Sequence, residues 1–155
     1  MVVLTLLPAL TLAASSNFKV VARQASGTSS LSYDPKYDVG QTSLTTVACS
    51  DGPFGLMREG YTTFDSLPSF YRIGGAPTVS GWPSDKCGAC YQLQYTSPTG
   101  ATNSIYMTAV DTAPGGFNVG VQAFNQLTNG MQDVGRVDVV WTEVARENCG
   151  LPNRP

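Results

Sequence analysis

The 155-residue sequence predicts a mainly β fold, a compact barrel of short strands with one or two small helices. Three observations support this prediction. The 16 glycines and 10 prolines supply many turns, charged residues make up only 13% of the chain, and apolar and polar residues alternate in several short segments. A chain of this length is enough for one domain with a single modest core.

The clearest strands form a hairpin. Residues 88–96 and 104–110 each place apolar side chains at alternate positions, and Ser-Pro-Thr-Gly at 97–100 supplies the turn between them. Residues 136–144 (RVDVVWTEV) predict the last strand, and the β-branched run at 42–49 predicts a further strand.

Helices are predicted to be few and short. Val121, Phe124 and Leu127 recur at helical spacing, which predicts a helix over residues 120–128 that ends at Asn-Gly. Thr63 is placed to cap one helical turn before Pro68 ends it. Glycine- and proline-rich residues 73–77 and 81–83 are predicted turns.

Charge and composition exclude several kinds of function. The net charge of -2 and the isoelectric point near 4.8 argue against nucleic-acid binding, which needs clustered Lys and Arg. Nothing in the sequence predicts a basic amphipathic helix for a membrane surface. The chain has no histidine, which removes Ser-His-Asp and Cys-His nucleophiles and His-ligated metal sites. A neutral polysaccharide suits such a surface as a ligand. The sequence predicts no cofactor and no metal.

The first residues predict export. Residues 1–14 (MVVLTLLPALTLAA) form an apolar run that ends in small residues, as in a secretory signal peptide. The run is too short to span a bilayer, which takes about 20 residues. No Lys or Arg precedes it, so a buried N-terminal helix is the alternative. Residues 15–30 are rich in Ser, Ala and Gly and predict a disordered leader or pro-segment, which leaves residues 31–155 as the folded domain.

Four cysteines, Cys49, Cys87, Cys90 and Cys149, agree with export, because an even number in a small exported chain indicates a disulfide framework. Three pairings are possible. The Cys-Gly-Ala-Cys spacing also suits a redox motif or half of a zinc site. However, a redox motif usually opens a helix, the residues after Cys90 alternate like a strand, and zinc lacks two further close ligands. Structural disulfides are therefore the favoured interpretation.

An ordered set of short motifs gives the chain a family resemblance. Each motif is weak alone, but their order and the register of the four cysteines are specific. The motifs are Leu-Ser-Tyr-Asp at 31–34, Cys-Ser-Asp-Gly at 49–52 with Gly-Leu-Met at 55–57, Cys-Gly-Ala-Cys at 87–90, Val-Asp at 110–111 with Gly-Gly-Phe-Asn-Val at 115–119, Gly-Arg-Val-Asp at 135–138, and Cys149. Over residues 31–150 this set resembles the cerato-platanin family.

The resemblance implies a six-stranded double-ψ β-barrel, similar to the barrel of expansins and of some endoglucanases. It implies two disulfides, Cys49–Cys87 and Cys90–Cys149. It also implies a monomeric protein that filamentous fungi secrete to the wall or medium. Such proteins bind N-acetylglucosamine oligomers or chitin, and some weaken cellulose without appreciable hydrolysis. They often elicit plant defence, which implies a plant surface receptor as a further partner.

Asp111 and Asn118 are the leading candidates for a carbohydrate site, because the matching family positions lie in its oligosaccharide groove. Asp111 is expected at the barrel mouth, where a strand ends and a glycine-rich loop begins. Gly115 and Gly116 would let a polymer approach the backbone closely, and Asn118 offers both a donor and an acceptor. The alternative is that Asp111 anchors the following turn and Asn118 caps the short helix.

Tyr33, Asp34 and Asp51 complete the predicted carbohydrate-binding set. Each has a structural alternative. Asp34 precedes Pro35 and Asp51 precedes Gly-Pro, so both carboxylates suit turns. Tyr33 is as well suited to the core as to the groove.

The two tryptophans and one charged pair receive separate predictions. Trp141 lies in an apolar strand and is predicted to be core. Trp82 lies on a loop, where its ring is predicted to plug the barrel, with stacking on a sugar as the alternative. Arg136 and Asp138 lie two residues apart on the last strand and predict a surface ion pair.

The sequence supports a secreted, non-catalytic carbohydrate-binding protein as the first hypothesis. Glycoside hydrolysis normally needs two carboxyl groups, about 5 Å or about 6.5–9.5 Å apart. No second acid near Asp111 in the sequence matches it, although the fold could bring Asp34, Asp51 or Asp138 close. The alternatives are a weak endoglycanase that uses Asp111 and a surface-active interaction protein that plants recognise.

Overall fold

The computed structural model describes residues 24–155. The predicted signal peptide and most of the predicted leader lie outside these residues. The described part contains six strands and one α-helix: β1 (Ser26–Tyr33), β2 (Ile73–Ala76), β3 (Cys90–Thr96), β4 (Thr102–Thr112), β5 (Phe117–Val119), α1 (Val121–Thr128) and β6 (Arg136–Val144). Within residues 24–155, no helix is long and apolar enough to cross a membrane.

The six strands close into a barrel in the order β1-β5-β2-β4-β3-β6. β1 pairs in parallel with β5, and β2 pairs in parallel with β4, whereas the other neighbours are antiparallel. The predicted mainly β, six-stranded barrel with a short helix is therefore confirmed. The two predicted disulfides, Cys49–Cys87 and Cys90–Cys149, are also present.

Alternate residues along the strands point inward, and their side chains fill the barrel core. Tyr91 is fully buried at its centre and meets Phe117 and Trp141 edge-on, with ring centroids 5.3 and 5.8 Å away. Trp141 thus packs against the core as predicted. Leu93 on β3 and Val139 on β6 belong to the same buried cluster.

The barrel begins earlier than the sequence predicts. β1 starts at Ser26 and pairs along its length with β6, from Ser26 opposite Thr142 to Ser32 opposite Arg136. The predicted leader boundary at residue 30 is therefore too late. Serine, glycine and threonine give this segment little hydrophobic alternation, and its place in the barrel depends on backbone pairing with a distant strand.

Two further local predictions are wrong. Residues 42–49 form turns rather than a strand. Leu44–Thr46 is a 3-10 turn with Ser43 at its N-cap position, and the Ser43 hydroxyl accepts a hydrogen bond from the Thr45 amide at 3.2 Å. Such local bonds compete with a sheet ladder. Residues 73–76 form β2 instead of a turn. A Cβ on Gly74 would lie 2.0 Å from the Asn118 carbonyl oxygen, so glycine permits β2 and β5 to pack this closely.

Burial of Tyr91 predicts a loss of stability at alkaline pH. Removal from water raises the pKa of Tyr91 to about 12, and its hydroxyl lies 2.5 Å from that of Thr78. Unfolded tyrosine ionises near pH 10, so the stabilisation is complete below pH 10 and is lost as the pH rises towards 12. The contribution of Tyr91 to the unfolding free energy is expected to fall by roughly 1 kcal/mol per pH unit over that window, and guanidinium unfolding measures it.

The variant Tyr91→Phe is the control for this prediction, because it keeps the ring and removes the ionisable hydroxyl. Its unfolding free energy is expected to fall less steeply between pH 10 and 12 than that of the wild type. Equal slopes for both proteins would show that Tyr91 does not cause the alkaline loss.

Candidate functional site

Four strands bring the two leading candidates into one row. Strand register places Ser32 opposite Asn118, Asn118 opposite Gly75, and Gly75 opposite Asp111. Phe117 and Val119, on either side of Asn118, are fully buried in the barrel, so Asn118 lies on the outer side of β5. Two inter-strand spacings separate the Asp111 and Asn118 backbones, which puts them about 10 Å apart.

The Asp111 carboxylate is bound on both oxygens by the protein itself. Its Oδ1 accepts hydrogen bonds from the Ala48 amide at 3.1 Å and the Thr112 amide at 2.9 Å. Its Oδ2 accepts from the Tyr37 hydroxyl at 3.2 Å and from the Lys36 ammonium at 3.5 Å. With 15% of its side chain exposed, Asp111 connects three separate segments of chain. The alternative prediction, that Asp111 anchors the turn after it, accounts for the bond to Thr112 but not for the other three.

Two of the partners of Asp111, Lys36 and Tyr37, come from the 3-10 turn Pro35–Asp38, which has Asp34 at its N-cap position. The Asp34 side chain accepts a hydrogen bond from the Lys36 amide at 2.9 Å and thereby caps this turn. At the other end of the turn, Asp38 accepts from the Val121 amide at 2.7 Å, at the start of α1. Asp34 therefore acts on the row indirectly, by positioning Lys36 and Tyr37.

Tyr37 is an almost fully buried neighbour of the site. Burial raises its pKa well above the ordinary value, and the negative charge of Asp111 raises the pKa further. The hydroxyl therefore stays protonated and continues to donate to Asp111 across the neutral range.

Asn118 is the candidate whose amide oxygen is left without a hydrogen bond. Its Oδ1 is buried and accepts no hydrogen bond from the described residues. The alternative that Asn118 caps the helix is wrong, because α1 has Gly120 at its N-cap position. A buried amide oxygen without a donor costs free energy, roughly 1–3 kcal/mol, so an ordered water or a ligand is expected to supply the donor. The Asn125 Oδ1 on α1 is in the same condition.

The two glycines before β5 have different surroundings. A Cβ on Gly116 would lie 2.3 Å from the Ser30 hydroxyl oxygen, so Gly116 is needed for packing of the loop on β1. Gly115 has no atom within 4 Å of the corresponding position and is exposed. A polymer can therefore approach the backbone closely at Gly115, whereas Ser30 blocks such an approach at Gly116.

The side chains of Asp51 and Tyr33 take no part in the hydrogen bonds of the row. The Asp51 Oδ1 accepts a hydrogen bond from the Trp82 indole at 2.9 Å. Trp82 is 61% exposed, so the prediction that it plugs the barrel is wrong. The Tyr33 ring packs edge-on against Phe124 of α1, and its hydroxyl donates to the Gln132 carbonyl at 3.1 Å. Tyr33 thus has a packing role at the helix.

The predicted ion pair on β6 is also wrong. In the described part of the chain no ion pair joins Arg136 to Asp138. Arg136 instead donates to the Ser30 hydroxyl at 2.6 Å and to the Gly115 carbonyl at 3.3 Å. This places Arg136 beside the loop that leads to Asn118 and ties that loop to β1.

A separate concave surface lies on another part of the described chain. A depression of about 650 Å³ runs over the outer face of β1, β6 and β3, and its lining includes Thr28, Ser30, Gln94, Asp138 and Val140. Hydroxyl and amide groups of this kind can also bind sugar hydroxyls. The row is the stronger candidate for a binding site. The depression is open, and none of its lining residues has a buried polar side-chain atom without a hydrogen bond.

Sequence reasoning missed three residues of the site. Lys36 and Tyr37 follow a proline in a segment without periodicity, and only the fold brings them to Asp111 from 74–75 residues away. Gly75 lies between the two leading candidates, in a segment that the sequence predicts to be a turn. The Gly-Gly pair was the one local signal for close packing of backbones at this point.

Comparisons with known proteins agree with this fold. The family model described as Cerato-platanin matches residues 29–151. The chain is 50% identical over 121 residues to Allergen Asp f 15 of Aspergillus fumigatus, which covers 77% of this chain and 76% of that protein. It is 44% identical over 121 residues to Cerato-platanin of Ceratocystis fimbriata f. sp. platani, with 77% and 85% covered. The crystal structure of cerato-platanin 1 from M. perniciosa superposes with a TM-score of 0.75 at 43% identity, over 77% of this chain and 98% of that chain.

Proposed function

The chain belongs to the cerato-platanin family, with its double-ψ barrel, and from this premise we propose that it is a secreted, non-catalytic protein that binds N-acetylglucosamine oligomers such as those of chitin. Two disulfides without a free cysteine in the described chain support an extracellular place of action. In this proposal, binding loosens wall polysaccharides without cutting them, and the protein also elicits plant defence.

The observation that carries the proposal is the unsatisfied amide oxygen of Asn118. Its buried Oδ1 needs a donor, and a sugar hydroxyl or acetamido N–H supplies one. Gly115 lies open nearby on the same loop, so a polymer is not blocked by a side chain there. The chain has a net charge of only -2, which suits a neutral polymer.

The environment of Asp111 supports binding without hydrolysis. A general acid must hold a proton and present it to the leaving oxygen. Asp111 instead accepts two backbone amides on one oxygen, and a tyrosine hydroxyl and the Lys36 ammonium on the other, so the protein itself occupies both carboxylate oxygens. Asp34 and Asp51 are each hydrogen-bonded elsewhere, to the Lys36 amide and the Trp82 indole.

An NMR titration of the oxidised protein with a chitin tetramer tests the proposal. We expect saturable shifts centred on Asn118 and its neighbours, and no new reducing ends on long incubation. Replacing Asn118 with alanine should weaken binding roughly three- to tenfold, the value of one hydrogen bond. Asn148→Ala is the matched control, because Asn148 bonds only locally to the Ala145 carbonyl, and its affinity should match the wild type.

Three outcomes would contradict the proposal in different ways. Absence of shifts at millimolar tetramer would remove chitin-type oligomers as ligands. Saturable shifts centred on Gln94 and Val140 would move the site to the depression on β1, β6 and β3. Steady release of short sugars would instead support a weak endoglycanase.

A further inference from the structure

Trp82 is a large aromatic side chain on the surface that the protein holds in one orientation. It lies on the loop between β2 and β3, and 61% of it is exposed. Its indole N–H donates to Asp51 Oδ1 at 2.9 Å. A Cβ on Gly52 would lie 3.1–3.4 Å from three atoms of the indole, so the Gly52 backbone lies directly against the ring.

The segment that holds Trp82 is itself tied down at several points. The Cys49–Cys87 disulfide links the Asp51 segment to the Trp82 loop. The Cys49 amide donates to the Val110 carbonyl at 3.0 Å, and the Ala48 amide donates to Asp111. Residues 48–52 therefore connect the tryptophan to the end of β4, where the row of candidate residues begins.

Asp51 has an acceptor left over beside the ring. Its Oδ1 accepts from the Trp82 indole and from the Ser50 hydroxyl at 3.2 Å. Its Oδ2 accepts from none of the residues 24–155. An exposed aromatic face next to a carboxylate oxygen offers the two contacts that a pyranose ring needs: an apolar surface for its C–H face and an acceptor for a hydroxyl.

We propose that Trp82 and Asp51 form a stacking subsite for one sugar ring of a neutral polysaccharide. The C–H face of the ring packs on the indole, and a hydroxyl of the same ring donates to Asp51 Oδ2. The ligand class rests on the proposed function, whereas the subsite is a different set of side chains from the Asn118 row. Residues 48–52 connect the subsite to the row, because the Ala48 amide bonds to Asp111 of the row and Asp51 bonds to Trp82.

Tryptophan signals of the wild-type protein test the subsite directly. The chain has two tryptophans, and Trp141 packs against the core, so the indole N–H of Trp82 and its emission report on the exposed ring. Addition of the chitin tetramer should shift the Trp82 indole N–H resonance and move its emission to shorter wavelength, both saturably. The same titration of Trp141→Phe, where that variant folds, assigns the emission change to Trp82.

Trp82→Ala should weaken tetramer binding roughly tenfold, which corresponds to an aromatic contact. Tyr106→Ala is the matched control: it removes another exposed aromatic, on β4, and should leave affinity unchanged. Unchanged affinity of Trp82→Ala, with shifts at Asn118 intact, would overturn the subsite and leave the proposed function standing. Absence of tetramer binding by the wild type would overturn both. Emission changes that follow protein concentration rather than sugar would overturn the subsite and show a contact between copies of the chain.

Discussion

Replacing Cys90 and Cys149 together with alanine is expected to lower the free energy of unfolding by about 4 kcal/mol. This disulfide closes 59 residues of chain and joins the start of β3 to the C-terminal end of the fold. The crosslink lowers the conformational entropy of the unfolded chain, and this loss of entropy increases with the logarithm of the loop length. Guanidinium unfolding of the oxidised wild type and of the double variant measures the difference.

The Cys49–Cys87 disulfide closes 38 residues and gives a second estimate of about 4 kcal/mol. Loss of both crosslinks would remove roughly 8 kcal/mol from a typical total of about 5–15 kcal/mol. The fully reduced protein is therefore expected to be largely unfolded at 37 °C, with loss of its dispersed NMR spectrum. A reduced protein whose unfolding free energy lies within 1 kcal/mol of the oxidised value would contradict this prediction.

The elements that the sequence predicts well are those whose side chains alternate. The hairpin of β3 and β4, strand β6 and helix α1 each have apolar residues at the spacing of the element, because one face of each meets the core. β1 and β2 lack that signal. Their serines and glycines join the barrel through pairing with β6 and with β4 and β5, which are 30 or more residues away in sequence. No local pattern records such pairing.

The sequence indicates which residue types to expect in the candidate site but not what each of them contacts. Asp111 and Asn118 do lie in one row, yet Asp111 is engaged by the protein and the Asn118 amide oxygen is left without a donor. The distinction depends on Ala48, Lys36 and Tyr37, which only the fold places around the carboxylate. The prediction for Trp82 is wrong in its burial. The size of the ring predicts that it is buried, whereas its indole N–H donates to Asp51 and the ring stays at the surface.

Asp111→Ala is expected to lower the free energy of unfolding by roughly 3 kcal/mol, because it strips the Ala48 and Thr112 amides and the Tyr37 hydroxyl of their acceptor. The exposed Lys36 pair contributes little to that value. Asp111→Asn keeps one carbonyl oxygen for the two amides and should cost about 1 kcal/mol. Asp138→Ala, a carboxylate exposed on β6, is the control and should stay within about 0.5 kcal/mol of the wild type.

Tetramer affinity measured on the same variants separates structure from direct binding at Asp111. If Asp111 acts through the fold, Asp111→Asn should bind the tetramer within about twofold of the wild type, and Asp111→Ala should lose affinity only as it loses stability. An Asp111→Ala protein as stable as the wild type but unable to bind sugar would make Asp111 a direct ligand contact. Slow production of reducing ends by the wild type that disappears in folded Asp111→Asn would show that the carboxyl group works as a catalyst, because that variant keeps the fold and removes only the acid.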